Sequence, residues 1–97
     1  MADVTFVGES FPLVGETTVT TSYSKLTADA ETTAICVYID DSTNDGEFNT
    51  TGSGGGMPLT KQTYVCIWER PARGADVNND VYVKSASGTQ ALHYRVT

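Results

Sequence analysis

The sequence predicts an all-β protein, a small antiparallel β-sandwich or barrel of about 6–7 strands. Three observations carry this. No window repeats apolar residues at i, i+3, i+4 and i+7 over three helical turns. Short runs rich in Val, Ile, Tyr and Thr alternate apolar and polar residues instead. Clusters of Gly, Pro, Asn, Asp and Ser separate those runs. The 15 threonines suit solvated strand positions, where the branched Cβ fits the pleat and the hydroxyl meets water.

The 97 residues form one domain, 1–97, with 1–15 as an extended N-terminal arm. D-V-T-F-V-G (3–8) is the first strand, closed by S-F-P-L-V-G. E-T-T-V-T-T-S-Y-S (16–24) is the second. L-T-A-D-A-E-T-T (26–33) is the one place for a helical turn. A-I-C-V-Y-I-D (34–40) follows, and a short strand falls near 47–50. K-Q-T-Y-V-C-I-W-E (61–69), N-D-V-Y-V-K-S-A (79–86) and T-Q-A-L-H-Y-R-V-T (89–97) complete the set. The tight turn Ser87-Gly88-Thr89 joins the last two as a hairpin. In the final strand Leu92, Tyr94 and Val96 share the core face, and Ala91, His93 and Arg95 the other; Val81 and Val83 likewise oppose Tyr82 and Lys84.

Composition excludes some functions. With six basic residues and a net charge of −6, the chain lacks the Lys/Arg cluster that displaces counterions from phosphate. Nucleic acid and anionic membrane surfaces are therefore not expected partners. Residues 1–48 carry nine acids and one base, residues 49–97 three acids and five bases. In one folded domain this asymmetry is either without consequence or the mark of two faces that meet head to tail in a ring. The start lacks a basic region followed by an apolar run, so folding in a cytosol is expected. Asn49-Thr50-Thr51 then reads as a chance glycosylation match. In that setting Cys36 and Cys66, both within β-branched runs, read as two buried thiols.

Four of the five residues 52–56 are glycine, in T-G-S-G-G-G-M-P-L (51–59). A phosphate cradle needs a helix after its glycines, with Lys and Ser/Thr opening it. Here Met57-Pro58-Leu59 and a strand follow. The glycines therefore belong to a loop between strands, either floppy or ordered against a neighbouring subunit. D-D-S-T-N-D-G-E (40–47) resembles half of a calcium loop, but Gly52 stands where the closing Glu belongs. An acidic turn explains it more simply; Asp40, Asp41, Asp45 and Glu47 are the weak metal candidates, and D-V-N-N-D (76–80) has the same two readings. His93, the only histidine, lacks a nucleophile motif in sequence, so no enzyme activity and no cofactor are expected.

The stretch N-D-V-Y-V-K-S-A-S-G-T-Q-A-L-H-Y-R-V-T resembles the C-terminal hairpin of small all-β structural proteins of tailed bacteriophages. In those a Gly-x-Pro-Leu segment leads into a strand and a Val-Tyr-x-x-(Ser/Ala)-x-Ser-Gly-Thr hairpin ends the chain; Gly56-Met57-Pro58-Leu59 and Val81 through Thr89 match. The resemblance covers residues 34–97 by pattern and not the N-terminal 30. It implies a virion component, assembled in the host cytoplasm: a head decoration (cement) protein that stabilises the shell by oligomeric binding, for instance as a trimer, to the major capsid protein and its siblings. The contact residues expected for this are Val4, Phe6, Phe11 and Leu13 of the apolar N-terminal stretch, with Gly54, Gly55, Gly56 and Met57 of the loop. The alternative is a carbohydrate- or receptor-binding β-sandwich module of a tail or fibre, with Tyr64, Trp68, Tyr82 and Tyr94 as an aromatic platform.

Overall fold

Period-2 burial organises the described residues into nine strands: β1 (Val4–Phe6), β2 (Leu13–Val19), β3 (Ser24–Ala28), β4 (Ala34–Asp40), β5 (Gly46–Asn49), β6 (Met57–Leu59), β7 (Val65–Glu69), β8 (Asp80–Ser85) and β9 (Gln90–Val96). The structure is a computed structural model that describes residues 4–6, 13–72, 74–75 and 78–97. No helix occurs among the described residues.

The strands form two sheets, ordered β1-β3-β8-β5-β6 and β2-β9-β4-β7. All pairings are antiparallel except that of β1 with β3. With β1 set aside, β2-β9-β4-β7 facing β3-β8-β5-β6 is the strand order of an eight-stranded jelly roll. In that topology nearly every link crosses from one sheet to the other. The only consecutive strands among the nine that pair within a sheet are β5 and β6.

The core lies between the sheets. Ile35, Val37 and Ile39 of β4, Leu92 and Val96 of β9, and Val19 of β2 point in from one side. Leu26 of β3, Val81 and Val83 of β8, and Leu59 of β6 meet them from the other. All ten are fully buried, and burial of each such side chain contributes about 1.5–3 kcal/mol. Tyr94, half-buried, faces inward opposite Gly15, where a Cβ would stand 2.4 Å from the tyrosine hydroxyl. The ring needs that glycine.

Several expectations are corrected. The run 16–24 is two strands in different sheets, because Thr20–Tyr23 crosses between them; Ser22 N–H donates to Thr20 Oγ1 at 3.2 Å and Ser85 N–H to Thr20 O at 2.7 Å. The helical turn at 26–33 is the end of β3 followed by a turn in which Asp29 Oδ1 accepts the N–H groups of Glu31 and Thr32 and the Thr32 hydroxyl. The fourth long strand starts at Val65 rather than Lys61, since Gln62 adopts a φ of 52°. Ser87-Gly88-Thr89 is not a hairpin turn: β8 and β9 lie in opposite sheets, and Gly88, at φ 65°, turns an arch between them. Among the described residues nine strands replace about six or seven because short β3 and β6 are separate elements.

The cysteines also depart from the expected buried thiols. Cys36 on β4 and Cys66 on β7 are register partners joined by a disulfide, and Cys66 is exposed. A bulge explains their placement. Ile35 pairs with Trp68 and Cys36 with Cys66, which leaves Ile67 as an extra residue on β7. In a regular strand Cys66 and Trp68 would share a face. The extra residue turns Trp68 into the core, 7% exposed, while Cys66 stays outside beside Cys36. Trp68 Nε1 donates to Asn78 O at 2.8 Å, and the buried Arg70 guanidinium lies 5.1 Å over its ring.

Candidate functional site

Two surfaces gather side chains that the core does not use. The first is the outer face of the β2-β9-β4-β7 sheet. Period 2 places Glu16, His93 and Tyr38 abreast on β2, β9 and β4, as register partners. Continuing the Val37–Val65 register sets Tyr64, just ahead of β7, beside Tyr38. The next row holds Val14, Arg95, Cys36 and Cys66. An open depression of about 510 Å³ lies on this face, lined by Val14, Glu16, Tyr38, Tyr64, His93 and Arg95 among others. Val14 is 68% and Tyr64 54% exposed.

His93 bridges three strands. Its Nδ1 lies 3.6 Å from Glu16 Oε2, its Nε2 lies 3.3 Å from Asp40 Oδ2, and its ring meets Tyr38 edge-on with centroids 6.0 Å apart. Both ring nitrogens face carboxylates, so the imidazole ties β9 to β2 and β4.

The second surface is the β5–β6 hairpin with its glycine loop. Asn49, the last residue of β5, organises it. Asn49 Nδ2 donates to Ser53 O at 3.0 Å and Gly55 O at 3.2 Å, and its Oδ1 accepts from Thr51 and Gly52 N–H. The Tyr23 hydroxyl donates to Gly54 O at 3.0 Å. Gly52 and Gly54 need their glycines for φ values of 77° and 73°. At Gly56 a Cβ would stand 2.5 Å from Phe48 O, so the backbones of the hairpin can close only without a side chain there. The loop is thus held by its own chain, neither floppy nor in need of a sibling subunit. Beside it, Phe48, Met57 and Ile67 line a second depression of about 350 Å³, together with Gly55 and Gly56. Met57 is 63% exposed. This depression opens where edge strands β6 and β7 of the two sheets approach.

The four carboxylates of 40–47 diverge. Asp40 faces His93; Asp41 Oδ1 accepts Thr43 N–H at 2.6 Å and Asn44 N–H at 3.1 Å; Asp45 accepts Lys61 N–H at 2.9 Å; Glu47 lies 3.8 Å from Lys84 Nζ and accepts from Tyr23. Among the described residues no group of three His, Cys, Asp or Glu side chains is arranged to hold a metal ion. Thr43 N–H, then Asn44 N–H, hold the Asp41 carboxyl below its ordinary range. Burial, with the charge and hydrogen bond of Glu47, pushes the Tyr23 phenol up.

The candidate contact residues are distributed unevenly. Gly54 to Met57 lie together on the hairpin, three of them beside the second depression. Val4 and Phe6 belong to β1, which pairs alongside β3, and Leu13 opens β2; Phe11 lies outside the described residues. The proposed aromatic platform does not form. Trp68 is in the core, Tyr94 faces inward over Gly15, and Tyr82, on the other sheet, packs on Gly52. Of the four only Tyr64 stands on the outer face, in the company of His93 and of Tyr38, a residue that its sequence context did not mark out. The alternation of β4 and β9 already places Tyr38 and His93 on outer positions, but nothing local tells that β4 and β9 are neighbours. Compared with known proteins, the chain matches no family model, no curated protein and no solved structure.

Proposed function

We propose that this chain is a non-enzymatic structural protein of a tailed-phage virion, a decoration protein that binds the head shell as an oligomer and cements it. One observation carries the reading: a glycine hairpin fixed by Asn49 and Tyr23 presents exposed Met57 at the mouth of an apolar depression lined by Phe48 and Ile67. A pre-ordered loop loses little entropy on docking, and an exposed apolar side chain next to an unfilled recess is suited to protein contact. The jelly-roll order supports it by analogy alone, since viral capsid domains use it and so do lectins. Symmetry then multiplies weak contacts over the shell. In this reading the chain folds in the host cytoplasm with Cys36 and Cys66 reduced, and the bond between them closes once the particle meets an oxidising medium.

The test is addition of the purified protein to empty heads. Saturable binding at a fixed ratio to the capsid subunit, with a raised shell melting temperature, is the expected outcome, and Met57→Glu abolishes it while the isolated protein melts as before. A protein that never associates with shells, or a Met57→Glu variant that binds as the parent does, overturns the proposal.

A further inference from the structure

We infer that the outer face of the β2-β9-β4-β7 sheet is a binding site for a neutral saccharide, held between Tyr38, Tyr64 and His93 with Glu16 and Arg95 at its rim. This surface is separate from the glycine hairpin, so the inference stands apart from the cementing role.

A solvated sheet face carries polar side chains at alternate positions, and the same sheet shows this at exposed Thr18. One row away the face holds two tyrosines and an imidazole, with Tyr64 54% exposed. They line a recess of about 510 Å³, within the range of small-ligand sites. A sugar ring has an apolar face of C–H groups and an equatorial fringe of hydroxyls. Aromatic rings lying on a shallow surface take the first, and short-range donors and acceptors take the second.

The polar groups decide the class of ligand. Glu16 supplies an acceptor, Arg95 a planar fork of donors, and the two tyrosine hydroxyls serve either way. Glu16 and Arg95 carry opposite unit charges at the same recess. An anion would meet Glu16 and a cation would meet Arg95, each at a cost, whereas a neutral polyol meets neither. The site is also preorganised. His93 is held from both sides by Glu16 and Asp40 and packs edge-on to Tyr38. The Cys36–Cys66 disulfide fastens β7 to β4 two residues from Tyr64, which fixes where that ring enters the row. A recess this open covers only one face of a sugar, so the affinity expected for one ring is weak, with Kd about 1 mM.

Titration of ¹⁵N-labelled protein with the methyl glycosides of glucose, galactose, mannose and N-acetylglucosamine, and with galactomannan as a neutral polymer, tests this by amide and tyrosine ring shifts. At least one glycoside or the polymer is expected to shift resonances of Tyr38, Tyr64, His93 and Glu16 while leaving the glycine hairpin unmoved. Shifts from a monosaccharide assign a single-ring site; shifts from the polymer alone assign an extended one; both support the inference. Tyr64→Ala is expected to weaken binding about tenfold or more with an unchanged melting temperature, as fits an exposed aromatic anchor. Choline and N-acetylneuraminic acid serve as charged probes and are expected to leave these residues unperturbed. Absence of shifts from all five neutral ligands overturns the inference, as do shifts confined to the hairpin, tighter binding of either charged probe, or unaltered binding by Tyr64→Ala.

Discussion

Replacing Cys36 and Cys66 together by serine is expected to lower the stability of the domain by about 3.6 kcal/mol. The figure comes from the loop that the bond closes. Its ends are 30 residues apart, and closing such a loop in the unfolded chain removes about 12 cal/mol/K, or about 3.6 kcal/mol at room temperature. Domains of this size are stable by about 5–15 kcal/mol, so the bond is a large share of the whole. With the unfolding entropy usual for 97 residues, the loss corresponds to a melting temperature lower by about 15–20 °C. The assay is thermal unfolding followed by circular dichroism, with and without reductant, on the parent and the double variant, alongside thiol titration of the unreduced parent. Reductant should bring the parent to the melting temperature of the variant and leave the variant unchanged. If the unreduced parent titrates two free thiols, or if its melting temperature is unmoved once both thiols appear, the loop-closure reasoning fails.

Three further outcomes follow from local geometry. Gly52→Ala meets both a φ of 77° and the Tyr82 ring 2.9 Å from the new Cβ, whereas Gly54→Ala meets a φ of 73° in open space; both lose about 1 kcal/mol to the backbone, and Gly52→Ala loses more, as urea midpoints should show. Arg70, 5% exposed, donates to Asp29 O at 2.9 Å and to Asn79 Oδ1 and covers the Trp68 ring; Arg70→Ala removes two charge-assisted hydrogen bonds and that packing and is expected to cost about 3 kcal/mol by the same measurement. The carboxyl of Asp41 is held below its ordinary value of 3.8 by the N–H groups of Thr43 and Asn44. Because the folded value is the lower one, its contribution is complete above 3.8 and is lost as the pH falls through the folded value; denaturation midpoints of Asp41→Asn measured down into that acid range should fall less steeply than those of the parent.

What the sequence makes legible is whatever depends on one strand alone. The inward set Leu92, Tyr94 and Val96 and the outward set Ala91, His93 and Arg95 follow from period 2, as do Val81 and Val83. Which sheet a strand joins does not follow. Ser87-Gly88-Thr89 has the chemistry of a tight turn whether the next strand folds back beside β8 or arches over to the other sheet. Thr20–Tyr23 continues the β-branched run of β2 while the chain leaves the sheet. Trp68 is read to the face of Cys66 unless the bulge at Ile67 is known, and that bulge shows only in the pairing of β7 with β4. The glycine loop is recognisable as a loop. Its order is not, because that comes from Tyr23, far back in the chain, and from Asn49 at its border. The Glu16–His93–Asp40 clamp assembles from three strands that only the jelly-roll order makes adjacent.

That same order disposes of the charge asymmetry. The last two strands each lie between two strands from the acidic half, β9 between β2 and β4 and β8 between β3 and β5, and edge strands β6 and β7 each pair with one, β5 and β4. Residues that are segregated along the chain are therefore interleaved in space. Lys84 of β8 reaches Glu47 of β5 at 3.8 Å, and Lys61 reaches Asp45 at 3.9 Å. Opposite charges that meet within one chain are not arrayed as an acidic face and a basic face on two chains. Head-to-tail attraction between copies thus loses the feature that suggested it. Association through the hairpin surface would rest instead on Met57 and the recess beside it, an apolar contact little affected by ionic screening.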